Sequence, residues 1–214
     1  MTERPGGVTG DGAPGGSLGF GLAGPGPLVR SWWSGRWLRG LGNWLNTSLL
    51  ATGRLYVRRG QVGDLDVQVG MVTAVVHESD GNACRVRLGL STFPDEVWDQ
   101  VVRLMAENIS YSAHLLNGEV PRDVEELFRM AGVSLLPEKR ADIDAECDCP
   151  EWSTACNHVA AVLILLGDHL DADPFLLFRL RGRAHEQLMA SLRALRSQLA
   201  RAEGAPSGTH GSLG

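Results

Sequence analysis

From Val29 to about Leu50 the apolar positions Trp33, Trp37, Leu41, Trp44 and Leu45 recur at spacings of three and four. That is one face of a 3.6-residue period and predicts an amphipathic helix, weakened by Gly35, Gly40 and Gly42. A tryptophan stripe invites a ligand-stacking role, yet a helix face packed on a sheet accounts for the same spacing by burial alone. A second short helix is expected over Leu49–Arg59, ending at Gly60. The period then switches to two. Leu65, Val67 and Val69 alternate with Asp64, Asp66 and Gln68, and Val86, Leu88 and Leu90 alternate with Arg85, Arg87 and Gly89. Strands are therefore expected at Val62–Val69, Val72–His77 and Cys84–Leu90, with turns at Gly70 and at Asp80, Gly81 and Asn82. The pattern predicts an antiparallel meander with one solvated face. Arg85 and Arg87 lie on that polar face, but with Asp64 and Asp66 beside them the expectation is a paired, solvated surface rather than a phosphate site.

Helical periods return after the strands. Pro94, Asp95 and Glu96 provide the fixed φ and the acidic first turn of a helix whose buried stripe is Val97, Val101, Leu104 and Met105. A short segment at Tyr111–Leu116 follows. A helix starting at Pro121 carries Val124, Leu127 and Phe128 and stops at Gly132. The run from Val159 to Leu166 is apolar throughout, and Asp173-Pro174 breaks the chain before a short helix at Phe175–Leu180. In the last helix, Ala184 to Glu203, Leu188, Leu192, Leu195 and Leu199 form a seam about two heptads long. Residues 1–27 and 204–214 are rich in Gly or small polar residues and lack apolar periodicity, so disorder is expected there. Many helices and few strands make the fold class α+β: N-terminal helices, a small antiparallel β-meander with further helices, a small strand-plus-helix unit and a C-terminal helix.

Composition narrows the function classes. The chain has 214 residues and a formal net charge of −5, which argues against a general affinity for nucleic acid. A local patch is the exception, because Arg179, Arg181 and Arg183 precede the last helix and Arg193, Arg196 and Arg201 lie off its seam. That helix is expected to dock on its own domain with a solvated basic face; a partner helix or a phosphate backbone is the alternative. No apolar stretch reaches the roughly 20 residues that span a bilayer, no secretory signal is visible, and the cysteine usage suits a reducing compartment. A soluble, cytoplasmic protein without a membrane contact is expected.

Three of the four cysteines fall in one motif, Cys147-Asp148-Cys149 followed by Cys156-Asn157-His158, while Cys84 is left over as a buried or edge thiol. Three thiolates and one imidazole are the ligand set of a closed structural zinc site. In an extended chain residues i and i+2 share a face, so Cys147 and Cys149 can face one ion. Cys156 and His158 stand at the start of the apolar helix, whose dipole is expected to lower the Cys156 thiol pKa. Disulfides are the competing reading, disfavoured because cysteines at i and i+2 form strained bridges with each other. Metal ligands are thus expected at Cys147, Cys149, Cys156 and His158, holding one structural Zn2+, with Lys139 or Arg140 partly offsetting the charge. A core of Ile143, Val159, Val162, Leu163 and Leu166 would surround it. A shell closed by four protein ligands leaves no water position, and three thiolates make a poor Lewis acid. Glu146 and Glu151 flank the cluster without a His-Glu-x-x-His or His-x-Glu arrangement, and no phosphate-cradling Gly-x-x-x-x-Gly-Lys loop occurs. His77, His114, His169, His185 and His210 are scattered. No catalytic residue and no small-molecule substrate are expected.

The stretch Cys147-Asp-Cys-Pro-Glu-Trp152, then Cys156-Asn-His158-Val-Ala-Ala-Val-Leu, resembles a SWIM-type zinc finger, a module of bacterial Swi/Snf-type helicases, plant transposase-like proteins and eukaryotic kinases. Asp173-Pro-Phe-Leu-Leu-Phe-Arg-Leu-Arg-Gly182 is similar to the tail of bacterial stand-alone SWIM proteins. Trp32-Trp-Ser-Gly-Arg-Trp37 and Gly53-Arg-Leu-Tyr-Val-Arg-Arg-Gly60 resemble their N-terminal region. The resemblance runs from about residue 30 to 182. Many such fingers have Lys or Arg where this chain has Asn157, so it carries no phosphate contact to that position. Read this way the chain divides into residues 28–139, an N-terminal α+β region; 140–182, the finger; and 183–203, the basic C-terminal helix. The resemblance implies a non-catalytic adaptor that binds a Swi/Snf-type DNA-dependent ATPase, DNA, or both. Two alternatives stay open: direct nucleic-acid binding through Arg179, Arg181, Arg183, Arg193 and Arg196, and thiol redox or metal sensing through the cysteines.

Overall fold

The computed structural model describes residues 32–150 and 155–204. The stretch 1–27, the start of the first expected helix at 29–31, Glu151 and Trp152 of the cysteine motif, and residues 205–214 lie outside the described residues. The fold is α+β. In chain order it runs α1 (Trp32–Leu41), α2 (Thr47–Arg58), β1 (Val62–Gln68), β2 (Met71–His77), β3 (Ala83–Leu90), α3 (Asp95–Glu107), α4 (Ile109–Leu116), α5 (Val124–Met130), β4 (Ile143–Cys147), α6 (Asn157–Ala172), α7 (Leu176–Leu180) and α8 (His185–Gly204).

The first expected helix ends at Leu41 rather than near Leu50, and the second, expected from Leu49, begins at Thr47. Residues 42–46 turn the chain, and Asn46 starts α2 by accepting a hydrogen bond from Leu49 N at 2.8 Å. An Asn side chain satisfies an orphan amide of the first helical turn, so it marks a start better than an interior. The helix expected from Pro121 begins three residues later, because residues 121–123 form a turn.

The four strands lie in the order β1-β2-β3-β4, each antiparallel to the next. Leu88 opposes Ala145 and Val86 opposes Cys147, so the inward face of β3 continues onto β4. The segment that carries the first cysteine pair is therefore the edge strand of the same sheet as the meander. Residues 140–182, expected as a unit of their own, also supply α6, which lies between the sheet and the first two helices. One apolar cluster extends from Trp33 to Leu192.

Helix α6 is apolar from Val159 to Leu166 because that stretch is packed on nearly every side. Val159, Ala160, Ala161, Val162, Leu163 and Leu166 are all inaccessible to solvent. Small residues bring α2 close: a Cβ added to Gly53 would stand 2.9 Å from the Ala160 backbone carbon and 2.9 Å from Ile164 Cδ1. The tryptophan stripe packs on α6 rather than on a sheet. Trp37 is fully buried and donates from Nε1 to the Leu163 carbonyl at 2.8 Å, with Gly167 leaving room for its ring. On the far side Trp98, Phe128 and Phe178 form an edge-and-stack cluster with centroids 5.5–6.1 Å apart. The α8 seam docks there: Leu188 and Leu192 are fully buried and Leu195 and Leu199 half-buried, against α3, α4 and α7. The first half of the seam is thus occupied within the chain.

Candidate metal centre

β4 ends beside the start of β3, where α6 begins, and the four expected ligands meet at that junction. Cys147 closes β4; Cys149 follows in the departing loop; Cys156 is the N-cap of α6, and His158 lies in its first turn. Asp148 fixes where the ladder stops. Its amide donates to the Arg85 carbonyl at 3.2 Å, and its carboxylate accepts from Arg85 N at 2.7 Å. The ligand atoms of Cys147, Cys149, Cys156 and His158 all lie within 4.8 Å of one another. His158 Nδ1 is 3.7 Å from Cys147 Sγ and 3.8 Å from Cys156 Sγ. A tetrahedral ion with bonds of about 2.3 Å to sulfur and about 2.0 Å to nitrogen sets such edges near 3.6 Å. The residues fit one ion, and the imidazole faces it through Nδ1.

The other imidazole nitrogen meets a residue that the sequence reading missed. His158 Nε2 is 2.5 Å from Glu78 Oε1, and Glu78 in turn accepts from the Tyr56 hydroxyl at 2.8 Å. The Tyr56 ring also stands edge-on to the imidazole, with centroids 5.6 Å apart. A carboxylate on the second nitrogen of a ligating histidine fixes its tautomer and orientation and raises its basicity. Glu78 is 80 residues from His158 in sequence, immediately after β2, and no local spacing pairs the two.

Burial and hydrogen bonding set the ionisation at the junction. Hydrogen bonds from His158 first, then from Tyr56, hold the Glu78 carboxyl below its ordinary range. Burial pushes the imidazole of His158 toward the neutral form, but the hydrogen bonds to Glu78 and Cys149 outweigh it and leave its pKa raised. Burial pushes the Cys147 and Cys156 thiols up. For Cys156 this corrects the expected lowering. The helix-terminal amide of Val159 does point at Sγ, 3.5 Å away, and does favour the thiolate, but desolvation is the larger effect. Thiols buried this way ionise when a metal ion takes the charge. Arg140, expected to offset that charge, instead donates to the Ile143 carbonyl at the opposite end of β4 and lies over the Trp44 ring.

The expected basic patch is dispersed by the fold. Arg181 is buried and is no surface contact: it donates to the carbonyls of Leu135 at 2.8 Å, Ser91 at 3.0 Å and Ser134 at 3.3 Å and lies over Phe93. Its carbonyl accepts from Phe93 N and Trp98 Nε1, so one residue ties α7 to the loops before α3 and after α5. Arg183 pairs with Asp95 at 2.9 Å over Trp98, and Arg196 donates to the Ala106 carbonyl at 2.9 Å. Arg179 is half-buried, and Arg193 is exposed on α8. On the sheet, Arg87 faces Glu146 at 3.5 Å in the open, as expected for a paired, solvated surface.

The chain is similar to the uncharacterized protein Rv2102 of Mycobacterium tuberculosis (strain ATCC 25618 / H37Rv), with 40% identity over 191 residues. The match covers 86% of this chain and 65% of that protein, so the chain spans 65% of the length of the relative it matches. No family model matches the chain, and no solved structure matches it. No helix among the described residues is long and apolar enough to cross a membrane.

Proposed function

We propose that Cys147, Cys149, Cys156 and His158 hold one structural Zn2+ and that the protein is a non-catalytic, cytoplasmic interaction module of the SWIM type, an adaptor for a Swi/Snf-type DNA-dependent ATPase. The observation that carries this reading is the closed ligand set at the sheet–helix junction: three sulfurs and one Nδ1 within one ion's reach, with Nε2 held by Glu78. Such a shell offers no water position for hydrolytic chemistry. The ion would join the end of β4 to the start of α6, so its binding energy is folding energy. Direct DNA binding is the weaker part of the reading, because Arg181, Arg183 and Arg196 are engaged within the chain. A protein partner recognised through neutral or mixed surface gives binding that changes little with salt, whereas each phosphate contact steepens the salt dependence.

The test is capture of partners by the tagged, zinc-loaded protein from its native lysate, with and without nuclease, identified by mass spectrometry. A Swi/Snf-type ATPase retained after nuclease treatment is the expected result. Partners that vanish with nuclease would replace the adaptor by a nucleic-acid-binding protein.

A further inference from the structure

The fourth cysteine stands beside the centre. Cys84 opens the inward face of β3, two residues before Val86, which pairs with Cys147. Its Sγ, Cys147 Sγ and a carboxylate oxygen of Asp148 lie within 4.8 Å of one another. Cys147 thus belongs to two clusters at once, the closed one with Cys149, Cys156 and His158 and an open one with Cys84 and Asp148. We propose that Cys84, Asp148 and Cys147 form a second site, for a thiophilic divalent cation, with the Cys147 sulfur bridging the two ions. The inference rests on the closed cluster being a metal centre.

Three features of the second cluster suit this role. It offers two sulfurs and one oxygen, a mixed set that leaves a coordination position open and favours soft divalent ions over Mg2+ or Ca2+. It has access. Cys147 is the half-buried member of the four expected ligands, and with Asp148 it lines an open pocket on the sheet, while Cys84 is buried behind them on the inward face. Its charge also balances. The Cys84 thiolate and the Asp148 carboxylate match the incoming dication, so the two-ion assembly keeps the formal charge of the one-ion centre, while the Cys84 proton leaves to solvent. The Asp148 oxygen that accepts from Arg85 N anchors the carboxylate at the mouth of the site. Sulfur bridging also gives the buried ion a route to solvent, because an ion entering at the pocket shares a ligand with the one inside.

The experiment is titration of the zinc-loaded protein with excess Cd2+, counting ions per chain by native mass spectrometry and following the ultraviolet thiolate-to-metal band. Two ions on the wild-type chain and one on Cys84→Ala and on Asp148→Asn are expected. Asp148 is exposed, so its variant retains the core even if a change at the buried Cys84 disturbs it. A second ion that persists in both variants, or a wild-type chain that takes one ion unaffected by either change, overturns the second site and leaves the closed centre standing. The opposite pattern, in which Cys156→Ala leaves the ion count unchanged and Cys84→Ala abolishes binding, overturns the closed centre instead.

Discussion

Glu78 supplies a sharp test of the centre, because it contacts no ion yet fixes the ligand that does. Its carboxylate holds His158 Nε2, turning Nδ1 toward the sulfurs of Cys147 and Cys156. Replacing Glu78 by Ala removes both the acceptor and the negative charge and leaves the Nε2 proton facing Tyr56. Changes to such a partner of a ligating histidine cost about 10–100-fold in metal affinity, or roughly 1.4–2.7 kcal/mol. Glu78→Ala should fall near the upper bound. Glu78→Gln keeps a carbonyl that accepts from Nε2 and loses only the charge, so it should fall near the lower one. Tyr56→Phe removes one hydrogen bond to the carboxylate and should cost less than either. The assay is competition for zinc against a chromogenic chelator at fixed pH, with circular dichroism to confirm the fold. Equal zinc affinity in wild type and Glu78→Ala, within about twofold on a scale where the partner is worth at least tenfold, would refute the role of His158 as an Nδ1 ligand.

Other elements give independent outcomes. Cys156→Ser should release the ion and unfold residues 143–170, read by metal analysis and hydrogen exchange; a full equivalent of retained zinc with an unchanged thermal transition would contradict it. Gly53→Ala in an exposed helix would gain about 0.5–1 kcal/mol. Here the new Cβ meets the α6 backbone, so urea denaturation should instead show a loss of about 1–3 kcal/mol. Arg181→Met strips the donor from three carbonyls, and at about 1–3 kcal/mol for each polar group left unpaired the loss should reach about 3 kcal/mol or more. Arg193→Met, on the exposed face of α8, should stay within about 0.5 kcal/mol. Equal effects of the two arginine changes would show that Arg181 is not the internal tie it forms here.

Period-two alternation placed β1 and β3; β3 buries one face through Cys84, Val86, Leu88 and Leu90, whereas β1 changes register between Gly63 and Asp66, so that Val67 is buried but Val69 is exposed. Helix ends were legible where a residue has a fixed backbone role, as Pro94 before α3 and Gly132 at φ 79 after α5. The boundary between α1 and α2 was placed too late because the apolar spacing carries across residues 42–46, although Asn46, the cap of α2, was in view. The metal ligands were legible since both pairs are local in sequence. Their support was not: Tyr56 and Glu78 come from α2 and the end of β2, and only the tertiary fold brings them to His158. The cluster of arginines misled for a related reason. Charge in sequence reads as surface, yet Arg181 is buried where three backbone carbonyls converge. Cys84 read as a spare thiol, and strand register is what sets it beside Cys147.

The central claim is the closed centre, and X-ray absorption at the metal edge of the isolated protein, with its metal content, tests it most directly. The account predicts one zinc per chain bound by three sulfurs at about 2.3 Å and one nitrogen at about 2.0 Å. A metal-free folded protein, or a first shell containing oxygen in place of the imidazole, would contradict it.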